Sequence, residues 1–199
     1  MMIKSVSFPA PPLDIKEVLR YAAVKGEADE SVSVLLQTCC DELLEKLTYR
    51  ACYTVLPLTI EDKTCHFGAF SVSSADLSRR LQGCQRAILF CVTVGIELDR
   101  LLARYSRLNA SKALLVQAIG TERVEALCEV LCQHLQIEQG RRITARFSPG
   151  YGDFPIEKQK QIFDTLQCEK QIGVYLNESM IMTPTKSVTA LVGVTDIEV

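Results

Sequence analysis

The sequence predicts an α+β domain in which an antiparallel or mixed, twisted sheet is covered by helices. Three observations favour this class. Stretches with a helical spacing of apolar residues alternate irregularly with short runs that are rich in β-branched and aromatic residues. Two of these runs are close enough to form a hairpin, whereas a doubly wound fold needs regular alternation of strands and helices. No linker rich in glycine, serine or proline divides the chain, so we expect a single domain over residues 1–199.

The first quarter of the chain is predicted to form two helices. Asp14 and Glu17 have the spacing of a capping box, which predicts a helix from there to about residue 25. Apolar periodicity predicts a second helix over residues 31–47. The residues expected on its buried stripe are Val34, Leu35, Leu43, Leu44 and Leu47.

Strands are predicted next, because the apolar pattern changes its period. Residues 51–60 and 65–72 are expected to pair as a hairpin around the turn at residues 61–63. Ser73 or Ser74 is suited to cap a short helix that ends near Leu81. Residues 86–94 are almost entirely apolar, which is typical of a strand that is buried on both faces.

The second half is predicted to begin with two helices, over residues 96–107 and from Asn109 or Ser111 to about residue 136. Gly120 marks a possible break in the longer helix. One apolar face continues along it, formed by Val124, Leu127, Leu131 and Leu135. A later helix is expected to start at Phe154 or Pro155, with Asp153 as its cap, and a final strand covers residues 186–195.

Composition excludes several functional classes. The net charge is −2, and there is neither a basic stripe for nucleic acid nor a run of lysine and arginine for an anionic membrane. The longest apolar runs are too short to cross a bilayer, and the start of the chain lacks a secretory pattern. We therefore expect a cytoplasmic protein without nucleic-acid or membrane partners.

The cysteines and histidines do not predict a metal site. The nine cysteines include no CxxC motif, and Cys128 and Cys132 have the spacing of two residues on one helix face, where a free thiol is a common core residue. Neither His66 nor His134 has an acidic or cysteine neighbour at convincing ligand spacing.

The segment most suggestive of a binding site is residues 146–155, Arg-Phe-Ser-Pro-Gly-Tyr-Gly-Asp-Phe-Pro. Its prolines and glycines restrict the backbone path and allow a ligand to approach the main chain. Arg146 supplies a planar guanidinium suited to a carboxylate, and Tyr151 supplies an aromatic ring with a polar tip. From composition alone, an ordinary turn between a strand and a helix is an equally good interpretation.

Four parts of the chain resemble the activation (reactivation) domain of cobalamin-dependent methionine synthases. The Arg-x-x-Pro-Gly-Tyr motif of residues 146–151 is similar to the family's S-adenosylmethionine loop. Residues 177–188, Asn-Glu-Ser-Met-Ile-Met-Thr-Pro-Thr-Lys-Ser-Val, resemble its second block, with a Glu-Ser pair and a Met-x-Pro step. Residues 124–129 resemble the helix upstream of the loop, and residues 18–26 resemble the opening helix of stand-alone versions.

The resemblance implies a protein that binds S-adenosylmethionine and supports reductive methylation of cob(II)alamin on a separate methionine synthase. It implies cobalamin only on that partner, a flavodoxin or ferredoxin as electron donor, and no catalytic residue in this chain. The implied S-adenosylmethionine-binding residues are Glu125, Arg146, Ser148, Gly150 and Tyr151. The residues implied to support the site or to face the cobalamin are Gly152, Asp153, Glu178 and Ser179.

Other interpretations remain open at this point. The chain has Gly152-Asp153-Phe154 where many relatives have Pro-Ala-Cys, so a different corrinoid methyltransferase is a possible partner. A scaffold that has kept the fold but lost the ligand and a thiol-dependent enzyme are two further alternatives. A methyltransferase of the nucleotide-binding fold is disfavoured because no GxGxxG motif follows the strand of residues 86–94. The chain also lacks the Asp-x-His-x-x-Gly pattern of cobalamin-binding modules.

Overall fold

A computed structural model describes residues 2–26 and 28–198 of the protein. The strands in chain order are β1 (Lys4–Phe8), β2 (Tyr49–Pro57), β3 (Thr59–Glu61), β4 (Thr64–His66), β5 (Ser71–Ser73), β6 (Arg86–Thr93), β7 (Arg141–Ile143), β8 (Tyr175–Leu176), β9 (Met182–Thr183) and β10 (Ser187–Glu198). The helices are α1 (Ile15–Tyr21), α2 (Glu30–Leu43), α3 (Ala75–Arg80), α4 (Glu97–Leu108), α5 (Ala110–Gln139), α6 (Lys158–Leu166) and α7 (Cys168–Ile172), and a short 3₁₀ helix (Leu44–Lys46) follows α2.

The main sheet has five strands in the order β1-β2-β6-β10-β7, and every neighbouring pair is antiparallel. This confirms the predicted α+β class and selects the antiparallel form of the sheet. The hairpin predicted around residues 61–63 is also present, but its strands β3 and β4 join β5 in a separate three-stranded sheet. Ser74 caps α3 through a hydrogen bond from the Leu77 N–H, as predicted.

Both faces of the main sheet are covered, which explains the unbroken apolar run in β6. Ile88, Phe90 and Val92 face a core formed with α1, α2, α4 and α5. Alternate residues, such as Leu89 and Cys91, face a second core formed with α3, α6, α7 and the small sheet. Because successive side chains of a strand point to opposite faces, a strand between two cores carries no polar face.

Helix α5 is the longest element, with 30 residues and a length of about 45 Å. It continues through Gly120, so the predicted break is wrong. A Cβ atom at this position would lie 2.1 Å from Leu98 Cδ1 and 3.0 Å from Lys186 Cγ. Glycine is needed here because α4 and the start of β10 approach the helix closely, not because the backbone bends.

The first two helices differ from the prediction in their details. Asp14 caps α1 through the N–H groups of Lys16 and Glu17, but the Glu17 carboxylate pairs with Arg20 instead of completing a capping box. The helix ends at Tyr21 rather than near residue 25.

The buried face of α2 consists of Leu36, Cys39, Cys40 and Leu43, whereas Val34 from the predicted stripe is 62% exposed. Leu43 and Leu47 are buried as predicted, and Leu35 and Leu44 are partly buried against the same core. Val34 is therefore the misplaced residue, and Leu36, Cys39 and Cys40 are core residues that the predicted stripe omitted.

Candidate functional site

One cleft combines most of the residues that the sequence suggested for ligand binding. It lies between α5, the loop from Arg146 to Ile156, the segment from Met180 to Met182 and the start of β10, and its volume is about 510 Å³. The residues that line it are Arg80, Glu125, Arg146, Phe147, Ser148, Pro149, Tyr151, Ile156, Gln159, Met180, Met182, Ser187, Val188 and Thr189.

The loop is fixed to the main sheet at its beginning. Phe147 and Leu191 exchange two main-chain hydrogen bonds of 2.9 Å, which aligns the loop with β10. Two residues further along, the antiparallel register would place Pro149 opposite Thr189. Pairing ends there because proline has no N–H to donate.

Glycine is required where the loop turns back on itself. Gly150 has a φ of 89° and donates its N–H to the Phe154 carbonyl oxygen at 2.8 Å. A Cβ atom at Gly150 would lie 3.2 Å from Ile156 Cδ1, in addition to the cost of the left-handed backbone. The turn leaves Tyr151 67% exposed at the rim of the cleft.

The end of the pairing leaves an open strand edge in the cleft. Main-chain groups of an antiparallel strand point alternately to its two neighbours, and Leu191 bonds toward the loop side. The N–H and C=O groups of Thr189 and Ser187 therefore point in the same direction, into the cleft that both residues line. Within residues 2–26 and 28–198, no main-chain or side-chain group hydrogen-bonds the main chain of Thr189 on that side. The sequence analysis missed this feature, although Pro149 was a signal for it.

The two charged residues suggested for the ligand contact each other. Arg146 Nη2 donates to Glu125 Oε2, and Glu129 Oε1 lies 3.9 Å away from the same nitrogen. Burial lowers the pKa of Arg146, but the hydrogen bond and the nearby negative charges outweigh burial and raise it overall. Nε and Nη1 of Arg146 make no hydrogen bond to any described residue, so their N–H groups are left as donors for a ligand carboxylate.

Gln159 is a second residue that the sequence analysis missed. Its side chain is buried, its amide Nε2 donates to the Met180 carbonyl oxygen at 3.1 Å, and its Oε1 accepts from the Thr189 hydroxyl at 3.4 Å. Gln159 thereby joins α6 to both the Met180 segment and β10. Glutamine on a helix gives no sequence signal for such a role.

Asp153 lies outside the cleft and does not cap α6, so that prediction is wrong. Its carboxylate accepts hydrogen bonds from the Ser74 hydroxyl, from the Ala75 N–H at 2.6 Å and from the Asp76 N–H at 3.2 Å, at the start of α3. The hydrogen bond from Ser74 is the main reason why the pKa of Asp153 is lowered. Gly152 has a φ of 54°, and a Cβ atom there would lie 2.3 Å from Asp76 Oδ2. Both residues therefore position the loop against α3.

Glu178 and Ser179 also lie outside the cleft lining. Glu178 lines a separate cavity of about 670 Å³ beside α6 and α7. The Ser179 N–H donates to Asn177 Oδ1 at 2.9 Å, as does the Ile181 N–H, which shapes the turn before Met182. Four residues of the block 177–188 line the cleft, namely Met180, Met182, Ser187 and Val188. The larger cavity contains none of the five residues implied for ligand binding.

The two histidines of the chain lie away from the cleft. His134 packs edge-on against Phe8, with ring centroids 5.6 Å apart, and its Nε2 lies 3.5 Å from the Tyr53 hydroxyl. His66 lies in the small sheet, 3.9 Å from Glu61. Neither histidine lies in the cleft. Among the described residues no group of three histidine, cysteine or acidic side chains is arranged to hold a metal ion.

No helix in the described part of the chain combines the length and hydropathy needed for a membrane span. Eight of the nine cysteines are buried, and Cys132 is partly buried.

Comparison with known proteins gives both a structural match and a family match. The crystal structure of the MetH reactivation domain bound to AdoHcy superimposes with a TM-score of 0.69 and 18% sequence identity, over 97% of this chain and 78% of that chain. At this identity the likeness shows a common fold. The family model for the activation domain of vitamin B12-dependent methionine synthase matches residues 68–196, which include the cleft loop and every residue that lines the cleft. The chain therefore belongs to the family of vitamin B12-dependent methionine synthase activation domains.

Proposed function

We propose that the protein binds S-adenosylmethionine in the cleft and supports reductive reactivation of a cobalamin-dependent methionine synthase. The observation that carries the proposal is that Glu125, Arg146, Ser148 and Tyr151 line one cleft although they come from separate parts of the chain. Family membership supports the same role, and the structural neighbour is a reactivation domain bound to AdoHcy.

The chemistry of the cleft suits a zwitterionic nucleoside. Its volume of about 510 Å³ falls in the range of small-molecule sites. We assign the ligand ammonium to Glu125 and its carboxylate to the unbonded N–H groups of Arg146. Met180, Met182 and the Tyr151 ring supply the apolar surface for the carbon chain around the sulfur atom.

The open edge of β10 offers a complementary site for the base. Thr189 presents one main-chain donor and one acceptor into the cleft, and the edge of an adenine carries a donor and an acceptor side by side. The Ser148 N–H and the Gly150 carbonyl oxygen, which make no main-chain hydrogen bond within the described residues, are further groups of the loop that a ligand could use. We infer that the adenosine lies along this strand edge.

The protein's contribution is binding and orientation. S-adenosylmethionine, when bound, supplies an electrophilic methyl group, and the cobalamin that accepts it belongs to the partner. Fixing the sulfonium group by both charged ends of the ligand makes transfer to the partner more frequent without an acid or base from this chain. The exposed ring of Tyr151 lies at the rim, where we place the contact with the cobalamin-bearing partner. A flavodoxin or ferredoxin is the proposed electron donor.

Calorimetric titration of the purified protein with S-adenosylmethionine tests ligand binding. We expect saturable binding that Arg146→Ala and Glu125→Gln each weaken by tenfold or more, because the first change removes the proposed partner of the ligand carboxylate and the second removes the charge proposed to face its ammonium. Arg142→Ala is the matched control, since Arg142 is exposed in β7 and outside the cleft. If no heat appears at millimolar ligand while a corrinoid protein still binds, the protein is a scaffold and the proposal is wrong.

A reconstitution experiment tests the partner. Anaerobic mixing of the protein, a cobalamin-dependent methionine synthase poised as cob(II)alamin, reduced flavodoxin and S-adenosylmethionine should restore methylcobalamin, as seen by its visible spectrum. Arg142→Ala should restore it equally, and Arg146→Ala should not. Recovery with a different corrinoid methyltransferase but not with methionine synthase would reassign the partner.

A further inference from the structure

Arg80 is a second guanidinium group in the cleft. It is the last residue of α3, and its guanidinium carbon lies 4.6 Å from the centroid of the Phe147 ring. The ring covers one face of the planar group, so the N–H donors remain available at its edges. Phe147 is itself fixed by its pairing with Leu191 and by stacking on Phe154, with centroids 6.1 Å apart.

Arg80 carries the uncompensated charge of the cleft. Three charged side chains line the cavity: Arg80, Glu125 and Arg146. Glu125 and Arg146 form an ion pair with each other, which cancels most of their combined field. Arg80 makes no ion pair or side-chain hydrogen bond with any residue in the described parts of the chain. An anionic group that enters the cleft is therefore attracted mainly toward Arg80.

The neighbouring Arg79 shows what a structural arginine in this helix looks like. Arg79 Nη1 lies 3.2 Å from Asp76 Oδ1, one turn earlier in α3, and its side chain lines a different cavity beside the small sheet. The acidic residue of the helix is thus already paired with Arg79. Asp153 fixes the start of the same helix to the cleft loop, so the position of Arg80 relative to Arg146 is set by the fold.

We propose that Arg80 binds the carboxylate of the zwitterionic ligand together with the unbonded N–H groups of Arg146, and that it determines the preference of the cleft for ligands that carry a carboxylate. The inference rests on the proposed function, because it assigns one group of the same ligand. Arg146 alone is a weak anchor for an anion, since its charge is largely balanced by Glu125. Arg80 supplies the charge that Arg146 lacks.

The test compares two ligands that differ in one group. S-adenosylmethionine and decarboxylated S-adenosylmethionine are titrated calorimetrically into the wild-type protein, Arg80→Gln and the matched control Arg79→Gln. We expect Arg80→Gln to weaken binding of S-adenosylmethionine by about tenfold or more and to leave binding of the decarboxylated ligand unchanged, since a charge-assisted hydrogen bond is lost only with the former. Arg79→Gln should bind both ligands as the wild type does, and Arg80→Lys should recover part of the preference.

The outcomes separate the inference from the proposed function. If the wild type binds S-adenosylmethionine and Arg80→Gln binds both ligands as tightly as the wild type, the assignment of Arg80 is wrong and the proposed function stands. If Arg80→Gln weakens both ligands equally, Arg80 acts on the shape of the cleft rather than on the carboxylate, which also overturns the assignment. If the wild type does not bind S-adenosylmethionine, the proposed function fails, and the assignment fails with it. Circular dichroism and thermal unfolding of each variant establish that the protein is folded.

Discussion

Asp153 and Ser74 are joined by a side-chain hydrogen bond although they are 79 residues apart. Asp153 follows the turn of the cleft loop, and Ser74 caps α3, whose last residue is Arg80. The same carboxylate also accepts from two N–H groups at the start of α3. This contact fixes the loop that carries Arg146 to the helix that carries Arg80, so both sides of the cleft depend on it.

Removing either partner should loosen the cleft. We expect Ser74→Ala to lower the free energy of unfolding by about 1 kcal/mol, because the cap of α3 is lost together with the contact to Asp153. Asp153→Asn should weaken binding of S-adenosylmethionine without removing a residue from the cleft. Thermal unfolding and calorimetry measure the two effects. Unchanged ligand binding in both variants would show that the cleft does not depend on this contact.

The lowered pKa of Asp153 predicts that the stability of the folded protein falls at acid pH. Its pKa is lowered in the folded protein, so its stabilisation is complete above the unfolded value of about 4 and is lost as the pH falls through the lower, folded value. The difference in melting temperature between the wild type and Asp153→Asn should therefore be largest near neutral pH and should shrink below about pH 4. A difference that stays constant down to pH 2 would contradict this assignment.

Gly120 should not tolerate a side chain. We expect Gly120→Ala to destabilise the protein by about 1–3 kcal/mol, despite the higher helix propensity of alanine, because the new methyl group would overlap Leu98 Cδ1. Gln117→Ala, at an exposed position three residues earlier in α5, should change stability by less than about 0.5 kcal/mol. Urea denaturation measures both. A stabilised Gly120→Ala variant would mean that α4 can move away from α5 at little cost.

The local pattern of the sequence predicted the α+β class, the buried strand at residues 86–94, the hairpin and the cap at Ser74, since each depends on neighbouring residues. The prediction was wrong where the role of a residue depends on a contact with a distant part of the chain. Gly120 has the composition of a helix break but serves a close contact with Leu98. Asp153 has the position of a helix cap and is used as one, but for α3, which lies far from it in sequence.

In the candidate site, too, local patterns were predictable from the sequence and contacts between distant residues were not. The loop of residues 146–151 was recognisable because its prolines and glycines are local signals, and Glu125 was named only through the family resemblance. Gln159, Thr189 and Arg80 gave no signal because their roles arise from the way α6, β10 and α3 surround the loop. The ion pair between Arg146 and Glu125 was not foreseen either, since it depends on the distance between α5 and the loop.

The buried pair Glu122 and Arg123 should be important for stability. Arg123 is 1% exposed; it donates to both oxygens of Glu122 and to the carbonyl oxygens of Pro11 and Pro12 at 2.6 and 2.7 Å. Arg123→Met should lower the free energy of unfolding by about 3–5 kcal/mol, because Glu122 and two carbonyl groups lose their buried partner. The double variant Glu122→Gln/Arg123→Met should be less destabilised, since no unpaired charge remains. Equal losses in the single and double variants would show that packing rather than charge decides the effect.

Tyr53 should make the protein sensitive to alkali. Burial and the hydrogen bond to Glu138 raise the pKa of Tyr53 to about 12, above the value near 10 in an unfolded chain. The stability that Tyr53 contributes to the fold is therefore fully present below pH 10 and is lost as the pH rises from 10 to 12. Tyr53→Phe should be less stable at neutral pH but should lose less stability over that interval. Tyr175→Phe is the control, because Tyr175 is 53% exposed, and it should follow the wild type.

The cysteines should be unreactive in the native protein, which separates the proposed function from a thiol-dependent enzyme. Burial is the main reason why the pKa values of Cys39, Cys65 and Cys132 are raised to about 11, so only about one thiol in ten thousand is ionised at pH 7. We expect slow alkylation by iodoacetamide, with Cys132 modified first because the other eight cysteines are buried. Cys132→Ser should then bind S-adenosylmethionine as the wild type does. A thiol-dependent enzyme needs an accessible, ionised cysteine, and such a cysteine is alkylated quickly. Rapid modification of any cysteine at neutral pH, with loss of ligand binding, would therefore favour the thiol-dependent alternative.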